Sequence, residues 1–156
     1  MRPGLVIFCC GNASRGDDAI GPVIFDRLQN HGGTFDAVCD YQLQIEHALD
    51  LADRECAIFV DAAIDIETAF EMKQIFPARD ASYSTHALSP EALLEVCERV
   101  VAKQTPKAYL LGVKGVSFEL SEPLSPCAWN NLEAAWVFLM DFLTSKCNLG
   151  KGAIPG

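Results

Sequence analysis

The chain has 156 residues, of which 50% are hydrophobic and 21% are charged, a composition typical of one globular domain with a buried core. Twelve basic residues against 21 acidic residues give a formal net charge of −9, and a surface of that sign repels the phosphate backbone of nucleic acids. We therefore expect no nucleic-acid partner.

The first residues predict neither a signal peptide nor a membrane anchor. One arginine precedes an apolar run of six residues, Leu5–Cys10, which is too short for a signal core or a membrane span. The seven cysteines are odd in number and show no CxxC or Cys/His metal-binding spacing, so we interpret them as reduced thiols. These features predict a cytoplasmic protein without a membrane partner.

Short apolar runs alternate with segments of helical periodicity along the whole chain. The predicted strands cover residues 5–10, 35–39, 56–60, 70–76 and 108–113, with a short extra strand at 117–120. The predicted helices begin near 18, 46, 89 and 125, and the last two extend to about 103 and 147. This alternation predicts an α/β fold: a single three-layer domain with a mostly parallel sheet and helices on both faces. The domain is expected to span 1–147, followed by a flexible tail at 148–156.

An acidic pair lies at the start of the first predicted helix. Proline is tolerated only in the first turn of a helix, so Pro22 prevents the helix from beginning much before Asp18. Asp17 and Asp18 therefore lie at the N-terminus of the helix. We expect Asp17 to cap it, so that replacing this residue lowers the stability by about 1 kcal/mol.

Three polar groups follow predicted strands, where sites in parallel sheets form. They are the glycine loop with Asp17 and Asp18, then Asp61 after the strand at 56–60, and His86 in a polar loop after the strand at 70–76. Two carboxylates and an imidazole suit a borderline divalent ion such as nickel or zinc. Each residue taken singly also has an ordinary structural role, such as a cap or a loop hydrogen bond, so the prediction of a site depends on their coincidence.

The glycine loop is not a phosphate-binding loop. The spacing of Gly11 and Gly16 is that of a Walker A motif, but Asp17 and Asp18 occupy the positions where that motif has Lys and Ser or Thr. Two carboxylates at a helix N-terminus repel an anion and attract a cation.

The same residues carry a family resemblance. The pattern Gly11-Asn12-x4-Asp17-Asp18-x2-Gly21-Pro22, an apolar strand ending in Asp61-Ala62, and Ser84-Thr85-His86 before a helix resembles the hydrogenase maturation endopeptidases. The resemblance extends over about residues 5–145. The chain departs from the family at Cys9, where the family usually has glycine.

The resemblance implies a function and a set of site residues. Members of the family are single α/β domains that remove a short C-terminal extension from the large subunit of a nickel-dependent hydrogenase after nickel insertion. Carried over by motif position, the metal ligands are Asp18, Asp61 and His86. The implied partner is the large-subunit precursor, the implied metal is nickel supplied by that precursor, and the enzyme is expected to be a monomer.

Two other functions remain open at this point. A phospho-receiver domain also combines an acidic pair, an Asp, a Ser or Thr and a Lys, for which the chain has Asp17-Asp18, Asp61, Thr85 and Lys114. In a receiver, however, the acidic pair directly follows its strand, and His86 would have no role. The other alternative is a metal-sensing chaperone that binds the precursor without cleaving it.

Overall fold

The fold is described by a computed structural model, which covers residues 2–79, 88–101 and 104–145. Its strands are β1 Leu5–Cys10, β2 Asp36–Asp40, β3 Cys56–Ala63, β4 Phe70–Ile75 and β5 Lys107–Lys114. Its α-helices are α1 Ile20–His31, α2 Ala48–Leu51, α3 Pro90–Val96 and α4 Pro126–Ser145. Short 3-10 helices at Gly16–Ala19 and Ile45–His47 precede α1 and α2, and a π-helical turn at Cys97–Val101 follows α3.

The five strands form one sheet in the order β2-β1-β3-β5-β4, and β2, β1, β3 and β5 are parallel. Helices α1 and α4 pack on one face, against alternate β1 residues such as Leu5, Ile7 and Cys9. Helices α2 and α3 contribute to the core on the other face, with Val6 and Phe8. The predicted α/β architecture, a mostly parallel sheet between two helical layers, is confirmed.

The β4 strand corrects one step of the sequence analysis. β4 lies at the edge of the sheet, in keeping with its alternating sequence, but it runs antiparallel to β5, with Phe70 opposite Val113 and Ile75 opposite Ala108. Its C-terminal end therefore lies at the amino edge of the parallel strands, so the expectation that this strand ends at the carboxyl edge was wrong. A receiver domain needs five parallel strands in the order 2-1-3-4-5, and the antiparallel β4 disfavours that alternative.

The observed elements follow the predicted ones within a few residues, with two differences. β3 extends to Ala63, so Asp61 lies inside the strand near its carboxyl end. Leu120 forms only an isolated bridge with Arg15, so the short strand predicted at 117–120 is absent. The predicted tail at 148–156 and the ends of the helices near 103 and 147 lie outside the described residues.

No helix in the described part of the chain combines the length and the apolar character needed to cross a bilayer.

Candidate active site

Backbone carbonyl groups pack closely against two glycines of the loop between β1 and α1. Gly11 has φ 145°, and a Cβ atom there would overlap the carbonyl oxygen of Asp18. Gly16 has φ 51° and would place a Cβ atom 2.5 Å from the carbonyl oxygen of Ser117. Residues with a side chain rarely adopt these backbone conformations, so glycine lets the loop fold back on itself at Gly11 and approach the segment after β5 at Gly16. This return brings the acidic pair to the carboxyl end of β1.

Asp18 is half-buried and is oriented by the backbone of the same loop. The amide of Asn12 donates a hydrogen bond to Oδ2 of Asp18 over 2.8 Å, and the amide of Asp18 donates to the carbonyl of Arg15 over 3.0 Å. A hydrogen bond to the backbone fixes one carboxylate oxygen while leaving the other available to a ligand.

Asp61 stands beside Asp18, on the neighbouring strand β3. The amide of Ala62 donates a 2.8 Å hydrogen bond to Oδ1 of Asp61. Asp61 is exposed at the edge of the sheet, but protein atoms on its inner side partly desolvate the carboxyl group. This desolvation and the negative charge of Asp18 raise the pKa of Asp61 to about 7, against the opposing effect of the Ala62 hydrogen bond. Asp18 and Asp61 therefore interact electrostatically.

This arrangement fits a divalent cation. Each carboxylate has one oxygen held by a backbone amide, and the described residues donate no hydrogen bond to Oδ1 of Asp18 or to Oδ2 of Asp61. Two neighbouring negative charges repel each other, and a cation between them would remove that repulsion. Carboxylate oxygens are suitable ligands for such an ion.

The third predicted ligand, His86, lies outside the described residues, as do Ser84 and Thr85. Within residues 2–79, 88–101 and 104–145, no three His, Cys, Asp or Glu side chains form a group that could hold a metal ion. The assignment of His86 stays a prediction. Asp18 and Asp61 are the part of the predicted site that the structure brings together.

Asp17 has a different role from the one predicted. No side chain caps the 3-10 helix or α1, so the expected cap is absent. The Asp17 carboxylate is fully buried and accepts hydrogen bonds from Val116, Ser117 and Ser125. Burial alone would raise the pKa of Asp17, but these hydrogen bonds outweigh it and lower the pKa below its usual value. The capping prediction failed because the partners lie about a hundred residues away in sequence.

Cys10 is a residue of this region that the sequence analysis did not single out. Its side chain lies on the same face of the sheet as Val6 and Phe8, under the acidic groups. Burial, followed by the charges of Asp61, Asp40 and Asp18 together with Cys39, raises the pKa of Cys10 to about 12. Cys10 is therefore a neutral thiol at the floor of the site. In the sequence, the only indication that Cys10 belongs to this region was its position at the end of the first strand.

The chain's departure from the family pattern at Cys9 is absorbed by the core. Cys9 is fully buried in β1 opposite Cys39 of β2, and its side chain packs among the residues between the sheet and helices α1 and α4. The extra side chain thus occupies the core and not the turn.

A crevice of about 250 Å³ opens beside the acidic pair, at the carboxyl ends of β1 and β2. Its lining residues are Gly11, Ala13, Pro22, Cys39, Asp40 and Tyr41. The topological switch point of the sheet lies between β1 and β3, on the side of β1 that faces Asp61, and such switch points are where open α/β sheets bind ligands.

His47 supports the wall of the crevice that contains Asp40. Nδ1 of His47 accepts a 2.8 Å hydrogen bond from the amide of Gln44, which leaves the proton on Nε2. Nε2 lies 3.5 Å from Oδ2 of Asp40.

The fold class is defined by this sheet together with the acidic loop that follows its first strand. Solved structures of hydrogenase maturation endopeptidases share this fold. The hydrogenase maturating endopeptidase HybD of E. coli matches with a TM-score of 0.70 and 21% sequence identity, over 92% of this chain and 93% of that one.

Two archaeal structures agree with this comparison. The NiFe hydrogenase maturation protease HycI of Thermococcus kodakarensis matches with a TM-score of 0.69 and 24% identity, over 90% of this chain and 92% of that one. The hydrogenase 2 maturation peptidase of a Thaumarchaeota archaeon matches with a TM-score of 0.65 and 20% identity, over 92% and 99% of the two chains. No protein-family model and no curated protein sequence matches the chain. The chain has the fold of the hydrogenase maturation endopeptidases.

Proposed function

We propose that the protein is an endopeptidase that removes a C-terminal extension from the large-subunit precursor of a nickel-dependent hydrogenase after nickel insertion. The observation that carries the proposal is the placement of Asp18, in the loop that follows β1, near Asp61 of the adjacent strand β3. The two carboxylates meet at the carboxyl edge of the sheet, beside a crevice that could receive an extended segment of a partner chain. The resemblance of the sequence motifs supports the same assignment.

In this proposal nickel arrives as part of the substrate. Asp18, Asp61 and His86 would bind the ion that the precursor already holds, each carboxylate offering the oxygen that its backbone amide leaves available. A divalent ion held in this way would orient the precursor and withdraw electron density from a coordinated carbonyl group. The role of the protein residues is to hold the precursor so that its extension enters the crevice.

The partner and the cellular setting follow from the same proposal. The precursor is the partner, and the protein's net charge of −9 favours a basic surface around the precursor's cleavage segment. We further propose that the enzyme acts in the cytoplasm as a monomer, where its thiols stay reduced.

The test is a mass measurement of nickel-loaded precursor before and after incubation with the protein. Wild-type protein should shorten the precursor, whereas Asp18→Ala and Asp61→Ala should leave its mass unchanged. Asp141→Ala, which removes an exposed carboxylate from α4, is the matched control and should retain full activity.

The alternatives give different results in the same experiment. A non-cleaving chaperone would bind the precursor, seen as co-elution in gel filtration, without changing its mass. Full activity of Asp18→Ala and Asp61→Ala on the same precursor would remove both carboxylates from the mechanism.

A further inference from the structure

The two carboxylates of the acidic pair differ in burial: Asp17 is fully buried, whereas Asp18 is half-buried. Asp17 has no exposed surface, and among the described residues it has no ion-pair partner. A buried carboxylate without a counter-ion is costly unless hydrogen bonds replace its hydration. Asp17 receives four such bonds, which is the full capacity of a carboxylate.

All four hydrogen bonds come from the connection between β5 and α4. Oδ2 of Asp17 accepts from the amides of Val116 and Ser117 over 2.7 and 3.0 Å, and from Oγ of Ser125 over 2.8 Å. Oδ1 accepts from the amide of Ser125 over 2.7 Å. Oγ of Ser125 also accepts a hydrogen bond from the amide of Ala128 over 3.1 Å. The hydroxyl that caps α4 is therefore the same one that donates a hydrogen bond to Asp17.

Backbone hydrogen bonds also join the glycine loop to the connection between β5 and α4. The amide of Asp17 donates to the carbonyl of Ser117 over 2.7 Å, and the amide of Gly16 donates to Glu122 over 3.0 Å. In the reverse direction, the amide of Ser121 donates to Ser14 over 2.7 Å. The loop that carries Asp18 is therefore held against the β5–α4 connection.

We propose that Asp17 is a positioning residue, which holds Asp18 in the direction that its role in precursor processing requires. This inference rests on the proposed function. Asp17 and Asp18 are consecutive residues of the 3-10 helix Gly16–Ala19, and consecutive side chains of a 3-10 helix project about 120° apart. When Asp17 is anchored inward by four hydrogen bonds, the Asp18 side chain is directed toward Asn12 and Asp61 at the sheet edge.

The amide of asparagine cannot replace the Asp17 carboxylate. Its oxygen can take the place of one carboxylate oxygen, but its NH₂ group must then take the place of the other. In one orientation the NH₂ group faces the N–H groups of Val116 and Ser117, and in the other it faces the N–H group of Ser125. At least one donor therefore opposes a donor, which drives the two segments apart or the side chain out of its site. Either movement rotates the 3-10 helix and displaces Asp18.

The test compares Asp17→Asn, Ser125→Ala and Ser125→Thr with the wild-type protein, at a temperature where every variant is fully folded by circular dichroism. Asp17→Asn should lower kcat for nickel-loaded precursor by about 100-fold with little change in KM, the loss typical of a displacement near 1 Å at a reacting group. Ser125→Ala should lower kcat by a smaller factor. Ser125→Thr should keep the wild-type kcat, because threonine retains the hydroxyl.

A second readout reports the position of Asp18 directly. The amide resonance of Asn12, which donates to Asp18, should shift in Asp17→Asn and Ser125→Ala and stay in place in Ser125→Thr. Leu139→Ala is the stability control, because Leu139 is fully buried in α4, far along the helix from Ser125. This variant should show a lower melting temperature with unchanged kcat and an unchanged Asn12 resonance.

The inference fails if Asp17→Asn behaves like Leu139→Ala, with lower stability, normal kcat and an undisturbed Asn12 amide. That result would give Asp17 a structural role alone while leaving the proposed function intact. If wild-type protein processes no nickel-loaded precursor, the proposed function fails instead. The Asn12 resonance then still decides whether Asp17 orients Asp18, and an undisturbed resonance in Asp17→Asn would overturn the inference.

Discussion

Gly21, in the first turn of α1, lies directly against the backbone of Cys10 at the end of β1. A Cβ atom on Gly21 would overlap the carbonyl oxygen of Cys10 and lie 2.9 Å from its amide nitrogen. The absence of a side chain at this position lets the helix start over the strand end. The acidic pair is therefore held close to the sheet from the α1 side as well as from the β5–α4 connection.

Replacing Gly21 by alanine tests this contact. Alanine would favour the helix by about 1 kcal/mol through its propensity. We nevertheless expect Gly21→Ala to destabilise the protein by about 1–3 kcal/mol, because the backbone on both sides has no room to yield. Urea unfolding measures the difference. The matched control is Asn30→Ala, an exposed change in the same helix, which should be neutral or stabilising. A stabilised Gly21→Ala protein would contradict the close approach.

Asp61 should make the stability depend on pH. The pKa of Asp61 is about 7 in the folded protein and near its ordinary, lower value in the unfolded chain. Between about pH 4 and 7 the folded state keeps a proton that the unfolded chain releases, so the contribution of Asp61 to stability falls as the pH rises through this range. Asp61→Asn removes the effect. The variant should come close to the wild type at pH 4 and exceed its stability above pH 7.

Thermal unfolding from pH 4 to 8 in the presence of a chelator checks this expectation. The chelator prevents a bound metal ion from stabilising the ionised carboxylate. Asp141→Asn, which neutralises an exposed carboxylate of α4, is the control for general charge effects. The same melting temperatures for Asp61→Asn and wild type at every pH would show that Asp61 is not desolvated.

Nickel binding by the isolated protein should be weak. The proposed site has two carboxylates and one imidazole, and open sites with three protein ligands leave room for water or substrate, whereas closed structural sites have four ligands. Calorimetric titration of the purified protein with nickel should give a low affinity, reduced further in Asp61→Ala. Nickel-free precursor should remain uncut. Tight binding together with equal cleavage of nickel-free and nickel-loaded precursor would contradict the proposed role of the metal.

The cysteines should differ in their reactivity. Cys127 and Cys39 are exposed, but desolvation and the charges of Asp26 and Asp40 raise the pKa of Cys39. Because the thiolate is the nucleophile, iodoacetamide at neutral pH should label Cys127 faster than Cys39. The buried cysteines of the described residues should react only after unfolding; they are Cys9, Cys10, Cys56 and Cys97. Peptide mapping follows each site, and rapid labelling of Cys10 in the native protein would contradict its burial.

Much of the fold was predictable because it depends on local patterns. Strand β1 is a continuous apolar sequence buried along its whole length, and β3 and β5 contain apolar runs at 56–60 and 108–113. Ser89 and Pro90 mark the start of α3 through the 3.0 Å hydrogen bond from Ala92 to Ser89. The direction of β4 was not predictable, since a polar alternation indicates an edge strand without specifying which way it pairs. The error in locating the end of that strand followed from this ambiguity.

The acidic pair separates what the sequence determined from what the tertiary structure decided. The sequence by itself determined that both carboxylates lie at the start of α1, because Pro22 limits where that helix can begin. Only the tertiary structure decided that Asp17 turns inward to Val116, Ser117 and Ser125 while Asp18 turns toward Asp61. The two residues are chemically identical neighbours. The hydrogen-bond donors that distinguish them are distant in sequence and come together only when β5 and α4 pack against the loop.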